Sequence, residues 1–147
     1  MIRFPSAEEV AVDLLYKTGR ALEAANYEAF KKCFAIPCVV ETAQSLKVIE
    51  SYSGLQATFD SVVSYYAEQR VVSLARDVIE AKFLANDTIG STHVTRLLRL
   101  NGDTFRNPFP TYSILRRTPK GEWKINSCTY AILDCEDHNS ALATVRS

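Results

Sequence analysis

The chain has 147 residues, and its 17 Lys and Arg balance its 17 Asp and Glu, so it carries no formal net charge and no basic excess of the kind nucleic-acid binding requires. A hydrophobic fraction of 47% with 23% charged residues is that of an ordinary globular domain with a proper core, which excludes a disordered or fibrous chain. No apolar run is long enough to span a bilayer, and Met1 to Ser6 lack the apolar stretch of a signal peptide, so a cytoplasmic protein is expected, with neither membrane nor nucleic acid as a partner.

No repeat, linker or low-complexity stretch divides the sequence. It reads as one domain over 1–147, with a core of about 7–133 and a polar tail over 134–147. Ser6 and Glu9 form a capping-box pattern, after which Val10, Leu14, Thr18, Leu22 and Ala25 recur along one helical stripe. Asn26 suits the cap of a short second helix facing inward through Tyr27, Phe30, Cys33 and Phe34, with Pro37 as its stop. Two short strands, Cys38 to Thr42 and Leu46 to Glu50, follow around a tight turn. Ser53 and Gln56 then repeat the capping signal before the apolar face of Leu55, Phe59, Val62, Val63 and Tyr66.

From Val71 the period changes from helical to alternating. Val72 to Leu84 and Thr88 to Leu100 read as two long strands around the turn Asn86-Asp87, and Tyr112 to Arg117 and Glu122 to Leu133 as a second hairpin around Thr118-Pro119-Lys120-Gly121. Helices first and antiparallel strands after them give an α+β class, with three N-terminal helices packed on a strongly curved antiparallel sheet.

Cys33, Cys38, Cys128 and Cys135 match neither a disulfide scaffold nor a paired metal motif, and packing as reduced small hydrophobes is the reading adopted over a Cys33/Cys38 redox pair. His93 and His138 are the two histidines, too few for a histidine-rich metal site. Asp134, Glu136, Asp137 and His138 read as part of a solvated tail. No metal or cofactor is called for.

The wording Arg20-Ala21-Leu22-Glu23-Ala24-Ala25-Asn26-Tyr27-Glu28-Ala29-Phe30, then Phe34, and the closing Lys120-Gly121-Glu122-Trp123-Lys124-Ile125 resemble the nuclear transport factor 2-like superfamily, also called SnoaL-like or cystatin-like. The resemblance implies a cone of helices and bent sheet around an apolar pocket, and a homodimer built through the outer sheet face, to which parity assigns Trp123 and Ile125. It says almost nothing of function, because the superfamily includes isomerases, dehydratases, epoxide hydrolases, cyclases and interaction modules. Its known catalytic sets do not transfer. Where a related ketosteroid isomerase keeps its Asp base, its tyrosine and its buried aspartic acid, this chain has Thr42, Thr18 and, nearby, Tyr112. Leu98 occupies one of the places of the scytalone dehydratase histidines.

Strand parity sends Ala75, Asp77, Ile79, Ala81 and Phe83 inward and Arg76, Glu80 and Lys82 outward. With Asn86-Asp87 as the turn, Asp77 is expected opposite Arg96 on the pocket wall, and Glu80 opposite an outward His93. The pocket residues expected are therefore Thr18, Thr42, Asp77, Arg96, Tyr112, Asn126 and Tyr130. Lys124 and Cys128 share the inward face. The function expected is a dimeric pocket protein for a small, partly apolar molecule. One alternative is an isomerase, cyclase or dehydratase with Asp77 as acid or base. Another is a non-catalytic interaction module.

Overall fold

Helix α1 (Ala7–Glu23) begins where its capping box sets it. Ser6 Oγ accepts from Glu9 N at 3.1 Å, and Glu9 Oε1 accepts from Ser6 N at 3.1 Å. The structure, a computed structural model, describes residues 4–143. Asn26 caps α2 (Tyr27–Lys31) through a bond from Ala29 N to its Oδ1. The chain then enters β1 (Phe34–Glu41), which carries Pro37 within it, and turns back as β2 (Leu46–Ile49). Helix α3 (Tyr52–Glu68) is capped by Ser51, whose hydroxyl accepts from Gly54 N, two residues ahead of the expected Ser53. Strands β3 (Val71–Ala85), β4 (Thr88–Arg99), β5 (Phe109–Arg117) and β6 (Trp123–Tyr130) complete a six-stranded, curled sheet in the order β2-β1-β6-β5-β4-β3. The architecture is the expected α+β one. The sheet is mixed rather than antiparallel, because β1 runs parallel to β6.

The helices lie against the concave side of the sheet. Leu14 and Ala21 of α1, Leu55 and Phe59 of α3, and Ile89, Leu115 and Ile125 of the sheet belong to one buried cluster. Phe59 packs against Phe30 with tilted rings, their centroids 4.7 Å apart. Full burial of side chains such as Leu55 and Phe59 contributes roughly 1.5–3 kcal/mol each.

Residues 134–143 are not a solvated tail, and the rest of the expected tail, 144–147, lies outside the described residues. Glu136 to Leu142 form a fourth helix, α4, whose His138, Asn139, Ala141 and Leu142 are buried. His138 stacks on Tyr65 with ring centroids 5.4 Å apart, and Asn139 Nδ2 donates to Ile132 O at 2.9 Å. Asp134, Glu136 and Asp137 stay exposed, as acidic residues on the solvent side of such a helix should. Positions 138, 141 and 142 have the i, i+3, i+4 spacing of a helical face, hidden by the polar residues between them.

The β3–β4 turn falls at Asn86-Asp87, with Ala85 opposite Thr88 as expected. Two register shifts then intervene, between Phe83 and Ala85 and between Val78 and Glu80. Beyond them Asp77 faces Val94, Arg96 faces Ala75, and Glu80 faces Thr92 rather than His93. Another shift, between Ile114 and Leu115 on β5, leaves Asn126 unpaired on β6, so that Ile125 and Cys128 both point into the core. Ile125 is therefore buried, not outward. Trp123 is half-buried beside Phe83, its ring 6.0 Å away.

Candidate functional site

Helices α1 and α3 and the concave face of the sheet leave a cavity of about 80 Å³ between them. Leu14, Phe34, Phe59, Val62 and Leu115 supply its apolar wall. Thr18, Arg76, Ser91, His93, Ser113 and Tyr130 bring polar groups to it. Among the described residues, no aspartate or glutamate lines it. Arg76 is its one ionised side chain.

Arg76 reaches inward because the shifts in β3 set its side chain against α1. There it packs beside Gly19, where a β-carbon would make an ordinary contact 3.6 Å from Arg76 Nη1. Nη1 donates to Thr18 Oγ1 at 2.8 Å and to Leu15 O at 3.2 Å. Thr18 in turn donates to Leu14 O at 2.9 Å, so its hydroxyl is oriented to accept. Arg76 Nε is buried without a partner among the described residues. Burial lowers the Arg76 pKa from its ordinary value, yet a guanidinium remains protonated in proteins. No carboxylate among the described residues lies within ion-pair distance of it. Glu23 is occupied by Arg20 and by Leu74 N, which donates to it at 2.8 Å.

His93, on the same wall, is 3% exposed and its Nε2 is also unpartnered. Burial, and secondarily the Arg76 charge, push its pKa down to about 3, so it is neutral at physiological pH. Burial raises the Tyr130 phenol and the Cys128 and Cys38 thiols, keeping all three protonated. All four cysteines are free, and burial also raises Cys33, which fits packed thiols rather than a reactive pair. At the α4 end, Tyr66, another lining residue, bonds His138 Nε2 at 2.7 Å. His138 is likewise held neutral, its pKa lowered to about 4 by burial and then by Arg106.

Of the residues expected at the pocket, Thr18 and Tyr130 line it. The others lie elsewhere. Thr42 is buried, but its hydroxyl accepts from Gln44 N and Ser45 N in the β1–β2 turn. Asp77 and Arg96 pair at 3.2 Å on the convex face, with side chains 64% and 50% exposed. Tyr112 is exposed on that face, over Gly90. Asn126 bridges Arg116 Nε and Pro37 O, away from the cavity. His93 and Arg76, expected outside, are inside. The error has two physical sources. The inner face of β4 sets Ser91, His93 and Thr95 between Ile89 and Leu97, no more apolar as a pattern than the outer Thr92, Val94, Arg96 and Leu98, so alternation there chose the wrong side, and on β3 the register shifts turn Arg76 inward. Thr18, a hydroxyl on a buried helical stripe, was the sequence signal for an inward polar partner.

No protein-family model matches the chain, and no curated protein matches it. Solved structures do. A cystatin-like-fold domain of unknown function from Nostoc punctiforme superposes with a TM-score of 0.70 at 13% identity, covering 95% of this chain and 85% of that one. A ketosteroid isomerase-like protein from Erwinia carotovora atroseptica gives 0.63 at 15% identity, with 90% and 100% covered. An NTF-2 like protein of unknown function from Shewanella oneidensis gives 0.61 at 15%, with 83% and 96% covered. At such identities the likeness is one of fold. The chain has the cystatin-like fold of the nuclear transport factor 2-like proteins.

Proposed function

We propose that this chain binds a small, partly apolar molecule inside its cone, and does so as a homodimer. The observation that carries the reading is a largely apolar cavity into which Arg76 and His93 bring buried polar atoms without partners. Buried polar groups are normally satisfied, and groups left unsatisfied in a cavity are those a ligand can complete. The dimer reading draws on the convex face, where Val72, Ile79 and Tyr112 are exposed apolar side chains. Catalysis with Asp77 as base has no support in the cavity, because that carboxylate is on the outside.

The competing reading, an interaction module whose cone is filled by its own side chains, draws on the small size of the space, about 80 Å³. Native mass spectrometry of the protein purified from its own source separates the two. A retained small molecule, released on unfolding, is expected. A mass equal to the polypeptide alone, with no cavity resonance perturbed by any small apolar probe, overturns the binding reading. Sedimentation showing only monomer at micromolar concentration overturns the dimer.

A further inference from the structure

Arg76 is a cation held where it gains little as a structural element. Its two hydrogen bonds run to neutral acceptors, Thr18 Oγ1 and Leu15 O, which orient the guanidinium without neutralising it. The residue is half-buried, with its Nε out of water, and Glu23, the carboxylate whose charge acts on it, is held by Arg20 and Leu74 N; a well-packed apolar residue would avoid the cost of a charge left without its own ion pair there. The edge carrying Nε remains unbonded, and the neutral imidazole of His93 leaves Nε2 unbonded on the same wall.

We infer that the cavity is an anion site whose ligand is a small organic monocarboxylate with a short apolar body, its carboxylate against the Nε edge of Arg76 and within reach of His93. This rests on the pocket reading above and names the ligand's chemistry. A carboxylate matches the planar donor fork of a guanidinium, which favours it over a spherical anion. One fixed positive charge neutralises one negative charge, so a phosphate monoester dianion would bring in a second, uncompensated charge. The rest of the wall is apolar, which suits a hydrocarbon body and disfavours a polyol. The cavity, about 80 Å³, is smaller than the roughly 150 Å³ that holds benzene in an engineered core, which restricts the body to a few carbons.

The test uses the full-length chain labelled with ¹⁵N, titrated at pH 7 with butyrate, 1-butanol or butylamine, probes of similar size and different charge. Backbone amides of cavity residues and the Arg76 Nε–H signal are followed by NMR. Butyrate is expected to bind about tenfold or more tighter than 1-butanol, the increment of a charge-assisted hydrogen bond, and to move the Arg76 Nε–H signal. Butylamine is expected not to bind. In Arg76→Met the preference for butyrate over 1-butanol is expected to vanish. Should that variant not fold, the Nε–H shift in the unaltered protein still decides. Equal binding of butyrate and 1-butanol, with the Nε–H signal unmoved, overturns the carboxylate assignment while leaving a pocket. No response of cavity residues to any of the three overturns the pocket reading as well.

Discussion

Two arginines of the β3–β4 hairpin, Arg96 on one face and Arg76 on the other, are treated in opposite ways. On the convex side Arg96 meets Asp77 at 3.2 Å, both largely in water. On the concave side Arg76, next in sequence to that aspartate, is half-buried between α1 and the sheet with no carboxylate in ion-pair distance among the described residues. The outer pair has its charges matched and gains little, because water already solvates both. The inner arginine has its charge unmatched where matching counts most. Charge complementarity inside one chain thus does not mark its energetically loaded position; the missing partner does.

The largest test of this contrast is acid. His93 and His138 are both buried neutral, with pKa values near 3 and 4 in the folded chain. An unfolded histidine titrates near 6.5. Between these values the unfolded state binds more protons than the folded one, so stability is full above about pH 6.5 and falls as pH drops toward 4. Each histidine is expected to withdraw on the order of 3 kcal/mol by pH 4. Urea denaturation across pH 4–7 checks this: His93→Gln should flatten the acid side of the curve relative to the unaltered protein. An unchanged curve would mean that water reaches the imidazole and that the inner face is not the dry compartment described.

Next in size is the support of Arg76. Thr18→Val keeps the shape of the side chain and removes the acceptor 2.8 Å from Nη1. A buried charged donor that loses a partner is expected to cost about 1–3 kcal/mol, read as a lowered urea midpoint with an unchanged m-value. The same substitution in an Arg76→Met background should cost much less, because the donor is gone. Equal costs in both backgrounds would place the value of Thr18 in helix packing rather than in holding the guanidinium.

The same two faces explain how far the residues alone could be read. The elements follow local physics, and local physics is written in sequence. Ser6 with Glu9, Asn26 as a cap and Asn86-Asp87 as a turn all stand where their chemistry puts them. The failures cluster where the chain serves the cavity. Ser91, His93 and Thr95 make a buried face polar, and alternation then points outward what is actually inside. The irregularity between Val78 and Glu80 changes which residues meet across the hairpin, and nothing in the Val78-Ile79-Glu80 sequence announces it. Helix α4 was hidden for a related reason: its buried face includes His138 and Asn139, polar residues that bond Tyr66 and Ile132 O, so it reads as tail. Departures from local consistency of this kind are expected at functional sites.

The smallest expected effect belongs to the outer pair, and it sharpens the comparison most directly. Had Asp77 and Arg96 faced each other in the pocket, removing the carboxylate would have stranded a buried charge, at about 3 kcal/mol or more. In the structure they meet diagonally across the strands, Asp77 opposite Val94 and Arg96 opposite Ala75, with both side chains at least half exposed. Water re-solvates Arg96 when its partner is lost, and the side-chain entropy spent on holding the pair is recovered. In the monomer, Asp77→Ala is therefore expected to change stability by no more than about 0.5 kcal/mol, and by less still in molar salt, where screening has already weakened the pair. Thermal or urea unfolding at low and high salt measures it. A loss of several kcal/mol would mean that this face is covered in solution. The covering that fits is a second copy of the chain across Ile79 and Tyr112, and sedimentation of the same variant would then show the dimer dissociating.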